Sequence, residues 1–115
     1  MLNTATYNFK PFILGDTANE VEFDFNLNNS PDDLTNAKVE LIAIKEGSTE
    51  AIQLNTDNGL LIKVDTNKVK TNFGIIKNSS GNYKYDLKIY YANGVVKTRI
   101  IGTITIKKDI TWIPS

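Results

Sequence analysis

The acidic side chains are the first candidates for chemistry, because the sequence contains no histidine and no cysteine. It therefore lacks the usual general base at neutral pH, the orienting imidazole of serine and cysteine triads, and a thiolate nucleophile. Glu20, Glu22 and Asp24 lie on one face of a predicted strand. A glycosidase needs two carboxyl groups facing each other across a cleft, about 5 to 10 Å apart, whereas a row of acids is typical of a solvated strand face. We expect no enzymatic activity.

Hard oxygen ligands for calcium occur in two short segments, but neither predicts a metal site. Asp32 and Asp33 form one segment, and Asp57 and Asn58 form the other. Neither has the D-x-[DN]-x-[DN]-G spacing of a calcium loop, and these residue types favour turns because their side chains bond to nearby backbone. Gly15 begins another turn, which lacks the lysine and the serine or threonine of a phosphate loop. We expect neither a metal nor a cofactor.

Aromatic residues could offer a contact surface, since sugars and unstacked bases stack on such rings. In a small sandwich most of them must enter the core, and we expect only Tyr90 and Trp112 to be exposed. Trp112 lies beyond the last predicted strand and is the better candidate for contact with a partner. The alternative is that the C-terminal tail packs against the edge of its own sheet. The residue pattern leaves both interpretations open.

Length and charge bound the class of protein. A chain of 115 residues predicts one domain, residues 1–115, that can bury a core without disulfides. Thirteen Lys and Arg balance thirteen Asp and Glu, so no basic field attracts nucleic acid. The N-terminus lacks the features of a signal peptide, and no segment approaches the ~20 apolar residues of a membrane span. We expect synthesis in the cytoplasm, no nucleic-acid binding and no membrane insertion.

Alternating side chains predict that the regular structure is β throughout. The clearest signal is residues 83–91, where apolar and polar side chains alternate, followed by Asn93 and Gly94, which suit a two-residue type I′ turn. The last strand then covers residues 95–107, and Gly102 inside it predicts a bulge or a close approach of backbone. Four residues of this strand are expected mostly on its solvent face: Lys97, Arg99, Thr103 and Thr105.

Weaker patterns complete the strand prediction. The segment around Tyr7 suits an edge strand, and residues 21–27 alternate strictly. Residues 38–45 carry apolar side chains of both parities, so we expect a central or bulged strand that is covered on both faces for part of its length. A turn at residues 57–59 favours a second hairpin, and a short strand is expected near residues 72–76.

These elements predict an all-β fold, an antiparallel immunoglobulin-like β-sandwich of about seven to nine strands. No stretch of the sequence holds a helical period, and turn signals recur at short spacing. Tyr83 resembles the tyrosine corner of such sandwiches, in which a tyrosine near the start of the penultimate strand bonds back to upstream backbone, and Tyr85 would then point into the core. The alternative is that Tyr83 is one more strand aromatic.

Several short motifs follow one another in an order that covers nearly the whole chain. They are GDT at residues 15–17, DLTNAKV at 33–39, NG at 58–59, GNYKYDL at 81–87, NG at 93–94, GTI at 102–104 and DIT at 109–111. Each motif alone is common in turns and strands. Their order and spacing resemble the small immunoglobulin-like structural proteins of tailed phages and prophages, and in particular the N-terminal domain of the baseplate upper protein family.

The resemblance implies a non-enzymatic virion structural protein, an accessory of the tail, baseplate or neck. Such a protein would be made in the host cytoplasm and would contact other phage structural proteins or copies of itself, through exposed strand edges and the C-terminal tail. No catalytic residue is carried over. The alternative function is a carbohydrate-binding or other ligand-binding β-sandwich module, with Trp112 and surface tyrosines in contact with the ligand.

Overall fold

The regular structure consists of β-strands. The computed structural model describes residues 4–27 and 30–108, and these ranges contain no helix, hence none that could cross a membrane. The all-β class is confirmed, and the strands outnumber the prediction because several are short pieces. The strands are β1 (Ala5–Thr6), β2 (Phe12–Ile13), β3 (Glu22–Asp24), β4 (Asn26–Leu27), β5 (Ser30–Pro31), β6 (Lys38–Lys45), β7 (Ala51–Asn55), β8 (Leu61–Asp65), β9 (Lys68–Thr71), β10 (Gly81–Tyr90) and β11 (Val96–Lys107).

The larger sheet is built around β10, which lies between β6 and β11 and is antiparallel to both. β7 extends the sheet beyond β6, while β1 and β2 run parallel to β11 at the opposite edge, so the sheet is not purely antiparallel as predicted. The hairpin of β10 and β11 is confirmed, but its loop has three residues. The Tyr91 N–H donates to the Val95 carbonyl at 2.8 Å, and Gly94 supplies the positive φ of 90° that this loop requires.

β6 is a central strand, as predicted, but only one of its faces is covered. Val39, Leu41 and Ala43 have no exposed surface, because they point into the core. Ile42 is half-buried and Ile44 is 50% exposed on the other face. The predicted cover on both faces is therefore wrong, and this strand presents apolar side chains to solvent.

The smaller sheet has the order β3-β9-β8, and β4 pairs separately with β5. The predicted hairpin of β7 with β8 is wrong, since these strands belong to different sheets. The Asn58 amide occupies the free edge of β7 instead: it accepts from the Asn55 N–H at 3.1 Å and donates to the Gln53 carbonyl at 3.3 Å. The strand expected near residues 72–76 lies earlier in the chain, as β9, with a single bridge at Ile75.

The two main sheets pack face to face around one hydrophobic core. Tyr83, Leu87 and Ile89 of β10 lie at its centre and have no exposed surface. Aromatic rings fill the part of the core beside the N-terminal segment. Phe9 packs edge-on against Tyr85, with 5.3 Å between ring centroids, an arrangement that aromatic quadrupoles favour. The sandwich thus depends on interlocking apolar and aromatic side chains.

The N-terminal edge leaves the regular pairing at Tyr7. The Tyr7 carbonyl turns inward to accept from the Tyr85 hydroxyl at 2.6 Å, and Asn8 Oδ1 takes its place by accepting from the Thr103 N–H at 3.1 Å. The displaced carbonyl passes directly over Gly102, where a Cβ atom would lie 1.8 Å from the oxygen. The predicted close approach of backbone at Gly102 is confirmed, because no side chain fits there.

Candidate functional sites

Arg99, the only arginine in the sequence, is buried, so the prediction that it faces solvent is wrong. The pairing of β10 with β11 shifts, because Leu87 pairs with Ile100 while Lys88 pairs with Thr98. Arg99 is the extra residue of this β-bulge, and both Arg99 and Ile100 turn inward, at 7% and 6% exposure. The bulge therefore places a charged side chain inside one end of the sandwich.

Five residues form what we call the arginine cluster at this end. Nη1 of Arg99 lies 2.5 Å from Asp32 Oδ2 and 2.8 Å from the Tyr91 hydroxyl, which itself donates to Asp32 Oδ2 at 2.6 Å. Nη2 donates to the Asn26 carbonyl at 3.2 Å, and the guanidinium lies 5.3 Å from the centroid of the Phe25 ring. Burial and the hydrogen bond to Asp32 raise the pKa of Tyr91.

The arginine cluster joins segments that are distant in the sequence. Asp32 follows β5, Asn26 belongs to β4, and Tyr91 follows β10. A buried charge is costly unless it is paired and hydrogen-bonded, and of the buried side-chain polar atoms in the described residues only Arg99 Nε lacks a partner. The cluster is therefore suited to holding loops in place, since its polar groups other than Arg99 Nε are bonded to one another.

A second polar cluster, which we call the glutamate cluster, lies at the opposite end of the sandwich. Glu50 accepts from the Ser79 N–H at 2.9 Å and from the Ser79 hydroxyl at 2.5 Å, and Lys45 Nζ donates to Ser79 Oγ at 2.9 Å. The Tyr83 hydroxyl donates to the Ser79 carbonyl at 2.8 Å and lies 3.1 Å from Glu50 Oε2. The bond from Tyr83 to upstream backbone has the geometry expected of a tyrosine corner.

Ser79 lies beside charged groups, but its surroundings do not activate it as a nucleophile. A reactive serine needs a neighbour that accepts its proton. The Ser79 hydroxyl, and after it the Ser79 N–H, lower the pKa of Glu50 to about 2, so this carboxylate is a weak base at neutral pH. Lys45 donates to the same serine oxygen. The glutamate cluster therefore ties the turn after β6 to the segment before β10.

The row of acids predicted on an amphipathic strand lies on the outer face of the smaller sheet. Glu22 and Asp24 are exposed and face Lys70 and Lys68 across the strands, and Glu20 lies 3.2 Å from Lys70. The prediction of a solvated face is confirmed. Within residues 4–27 and 30–108, no three acids come together in a way that could hold a metal ion.

The crevices on the described surface differ in volume, and three of them, of about 410 to 570 Å³, lie within the usual range of ligand sites. One crevice beside the N-terminal edge, lined by Tyr7, Phe12 and Asp16 among others, has a volume of about 190 Å³, whereas ligand sites typically hold about 300–1,000 Å³. A wider one of about 460 Å³ opens between β1 and β3 and is lined in part by Arg99. The Arg99 guanidinium is already bound within the arginine cluster.

The outer face of the larger sheet, formed by β11, β10, β6 and β7, exposes Ile44 and Ile101 and is a candidate surface for protein contact. Tyr90 lies half-buried on this face, and its hydroxyl donates to Glu40 at 3.1 Å; contact with a partner there stays a prediction. Tyr7 is also 36% exposed, so the expectation that only Tyr90 and Trp112 are exposed is wrong. Trp112 lies outside the described residues.

Neither a comparison with models of protein families nor a search of curated proteins finds a match for this chain. The function is therefore argued from the fold, the two polar clusters and the exposed faces.

Proposed function

We propose that this chain is a structural protein of a phage or prophage virion, an immunoglobulin-like accessory of the tail, baseplate or neck that acts through protein–protein contacts and catalyses no reaction. It would be made in the host cytoplasm and would contact other virion proteins or further copies of itself. The motif order along the chain suggests this class of protein.

The order of motifs along the chain carries the virion role, and the strand order supports the immunoglobulin-like fold. The orders β11-β10-β6-β7 and β3-β9-β8 resemble the GFCC′ and BED strand orders of immunoglobulin sandwiches, and the Tyr83 hydroxyl donates to upstream backbone near the start of the penultimate strand, which supports this proposal. Tyr85, two residues after Tyr83, would then occupy the position of the second cysteine of antibody domains, and its ring packs against Phe9. Such sandwiches support many functions, so the virion role depends on the motifs and on the exposed faces.

The described surface supports protein contact through an exposed sheet face. Apart from Arg99 Nε, the buried polar side chains of both clusters are bonded internally, and the aromatic crevice beside Tyr7 is smaller than a typical ligand site. The outer face of the larger sheet, by contrast, exposes apolar side chains among charges, as interaction surfaces do.

The test is whether the chain is part of a particle. The tagged chain is produced in its natural host while phage particles form, and the particles are purified on a density gradient and analysed by mass spectrometry. We expect the chain to sediment with particles at a constant ratio to the other tail proteins. A chain that is abundant in the lysate but absent from purified particles would overturn the proposal.

A further inference from the structure

The outer face of the larger sheet carries a row of alternating charges along β10. Lys84, Asp86 and Lys88 follow one another along the outer side of β10. The cross-strand neighbours of Asp86 are Ile101 on one side and Ile42 on the other. Asp86 makes no salt bridge with any described residue. A carboxylate thus lies between two isoleucines on an exposed surface.

Lys84 has similar surroundings. Its cross-strand neighbours are Thr103 and Ile44, and its side chain, 75% exposed, makes a solvated salt bridge of 3.9 Å with Glu46. On the outer face of the smaller sheet, acids and lysines instead face one another across β3 and β9. The two faces arrange their charges differently, because Glu22 and Asp24 have lysines as cross-strand neighbours, whereas Asp86 has an isoleucine on each side.

We propose that the outer face of the larger sheet binds the same face of a second copy of this chain. Two rows of residues run across the strands: Ile44, Lys84 and Thr103 form one, and Ile42, Asp86 and Ile101 form the other. The two-fold axis would run parallel to these rows and midway between them, so that each row faces the other row of the second copy. Because the interface is isologous, every contact occurs twice. The facing pairs are Lys84 with Asp86, Ile44 with Ile42, and Thr103 with Ile101.

The side-chain pattern selects this register. Moving the axis to lie between Asp86 and Lys88 would still pair opposite charges, but it would press Ile42 against Glu40, and burying a carboxylate against an apolar group is costly. In the proposed register Glu40 meets Glu46 of the second copy at the rim, where water and salt screen the repulsion. Of these two registers, only the proposed one places Ile42 against an apolar residue and also places Asp86 against a lysine.

The area of the face suits a reversible dimer. With strands about 4.8 Å apart and a rise of about 3.4 Å per residue, the residues of β11, β10, β6 and β7 give a face of roughly 570 Å² per copy, or about 1,150 Å² in total, which is the size of weak, transient interfaces. Stacked sheets cross at about 30°, so contacts near the axis form and the corners separate. The dimer follows from the residues of this face alone and does not depend on the proposed virion function.

Charge reversal tests the dimer directly. Lys84→Asp would place an acid opposite Asp86 in both symmetric contacts, and Asp86→Lys would place a lysine opposite Lys84 in both. We expect each single variant to weaken self-association at least about tenfold, since facing like charges cost more than about 1.4 kcal/mol. We expect the double variant to associate as the wild type does, and an equal mixture of the two single variants to form a mixed dimer. Sedimentation velocity over a concentration series measures each case.

Apolar substitutions supply the matched control. Ile44→Asp on this face is expected to abolish the dimer, whereas Val64→Asp on the smaller sheet, at a residue of comparable exposure (50% and 42%), is expected to leave it unchanged. Thermal melts verify that each variant is folded. A wild-type chain that stays monomeric at all concentrations would overturn the inference, as would single charge variants that dimerise normally or a mixture that does not. These experiments measure self-association and not incorporation into particles. A failure of the dimer proposal can therefore be distinguished from a failure of the proposed virion function.

Discussion

The two ends of the sandwich hold polar clusters that differ in their access to water. In the arginine cluster the side chains of Arg99 and Asp32 are 7% and 6% exposed, whereas in the glutamate cluster Ser79 is exposed and Glu50 is half-buried. Both clusters tie together segments that are far apart in the sequence. Water can replace a lost partner at the glutamate end, but it cannot easily do so at the arginine end. Similar hydrogen bonds should therefore differ in their contribution to stability.

The largest effect is expected from removing one charge of the buried pair. Asp32→Ala would leave the Arg99 guanidinium buried without its counter-charge, which costs about 3–5 kcal/mol of the free energy of unfolding. Urea denaturation measures the change. Asp57→Ala is the matched control, because its ion pair with Lys38 is solvated, and there we expect a much smaller change.

Replacing both charges shows whether the loss comes from the unpaired charge. Arg99→Met together with Asp32→Leu removes the ion pair and keeps the volume apolar, so we expect at least half of the lost stability to return. If Asp32→Ala alone cost no more than Asp57→Ala, the contrast between the two ends would be wrong.

A smaller loss is expected from Arg99→Lys, which keeps the charge but changes its geometry. An ammonium cannot donate to Asp32, Tyr91 and the Asn26 carbonyl from the fork of a guanidinium. We expect a cost of about 1.5–3 kcal/mol, the range of a hydrogen bond to a charged group. Stability equal to that of the wild type in urea would show that the charge alone matters at this end.

At the glutamate end, Tyr83→Phe should cost less stability than Asp32→Ala or Arg99→Lys does at the arginine end. The substitution removes the hydroxyl that donates to the Ser79 carbonyl at 2.8 Å, while the ring stays packed. We expect a loss of about 1 kcal/mol, the usual net value of a neutral hydrogen bond. Tyr90→Phe, whose hydroxyl reaches Glu40 on the outer face, is the control and should change stability by less than about 0.5 kcal/mol. Equal losses of stability in Tyr83→Phe and Tyr90→Phe would contradict a structural role for the bond from the Tyr83 hydroxyl to the Ser79 carbonyl.

The sequence predicts the strands of the larger sheet better than the clusters at its ends. The hairpin of β10 and β11 follows from alternation and a glycine-containing loop, because both signals depend on neighbouring residues. The close approach at Gly102 was also predictable, since a glycine inside a strand needs a reason. The burial of Arg99 was not predictable from the sequence. A bulge moves the side chains before it to the opposite face of the strand, and the bulge itself depends on the register with β10.

The clusters escape prediction because their members are far apart in the chain. Asp32 and Arg99 are separated by 67 positions, and Glu50 and Ser79 by 29. Which loops meet depends on how the sheets pack, and no local pattern records it. The one available signal was a single arginine in a chain otherwise rich in lysine, since arginine is favoured over lysine in buried ion pairs. Asn58 is a similar case, because its turn motif fits both a hairpin and the cap on β7 that the structure shows.

The smallest effect is a change in the pH dependence of stability at the glutamate end. In the folded chain Ser79 lowers the pKa of Glu50 from the ordinary 4.5 to about 2. The ionised carboxylate therefore contributes stability above pH 4.5, and this contribution is lost as the pH falls from 4.5 to about 2. Glu50→Gln removes the titrating group, so we expect its melting temperature to lie below that of the wild type at neutral pH and to converge with it in acid.

Thermal melts of both proteins across the acid range measure this convergence. Glu46→Gln is the matched control, because Glu46 lies nearby with a single 3.9 Å contact to Lys84, and its difference from the wild type should not vary in the same way with pH. Other carboxylates titrate equally in all three proteins, so only differences between curves carry information. If the Glu50→Gln curve runs parallel to the wild type down to about pH 2, the carboxylate is not held by Ser79 in solution. In that case the glutamate end would depend on the Tyr83 bond alone.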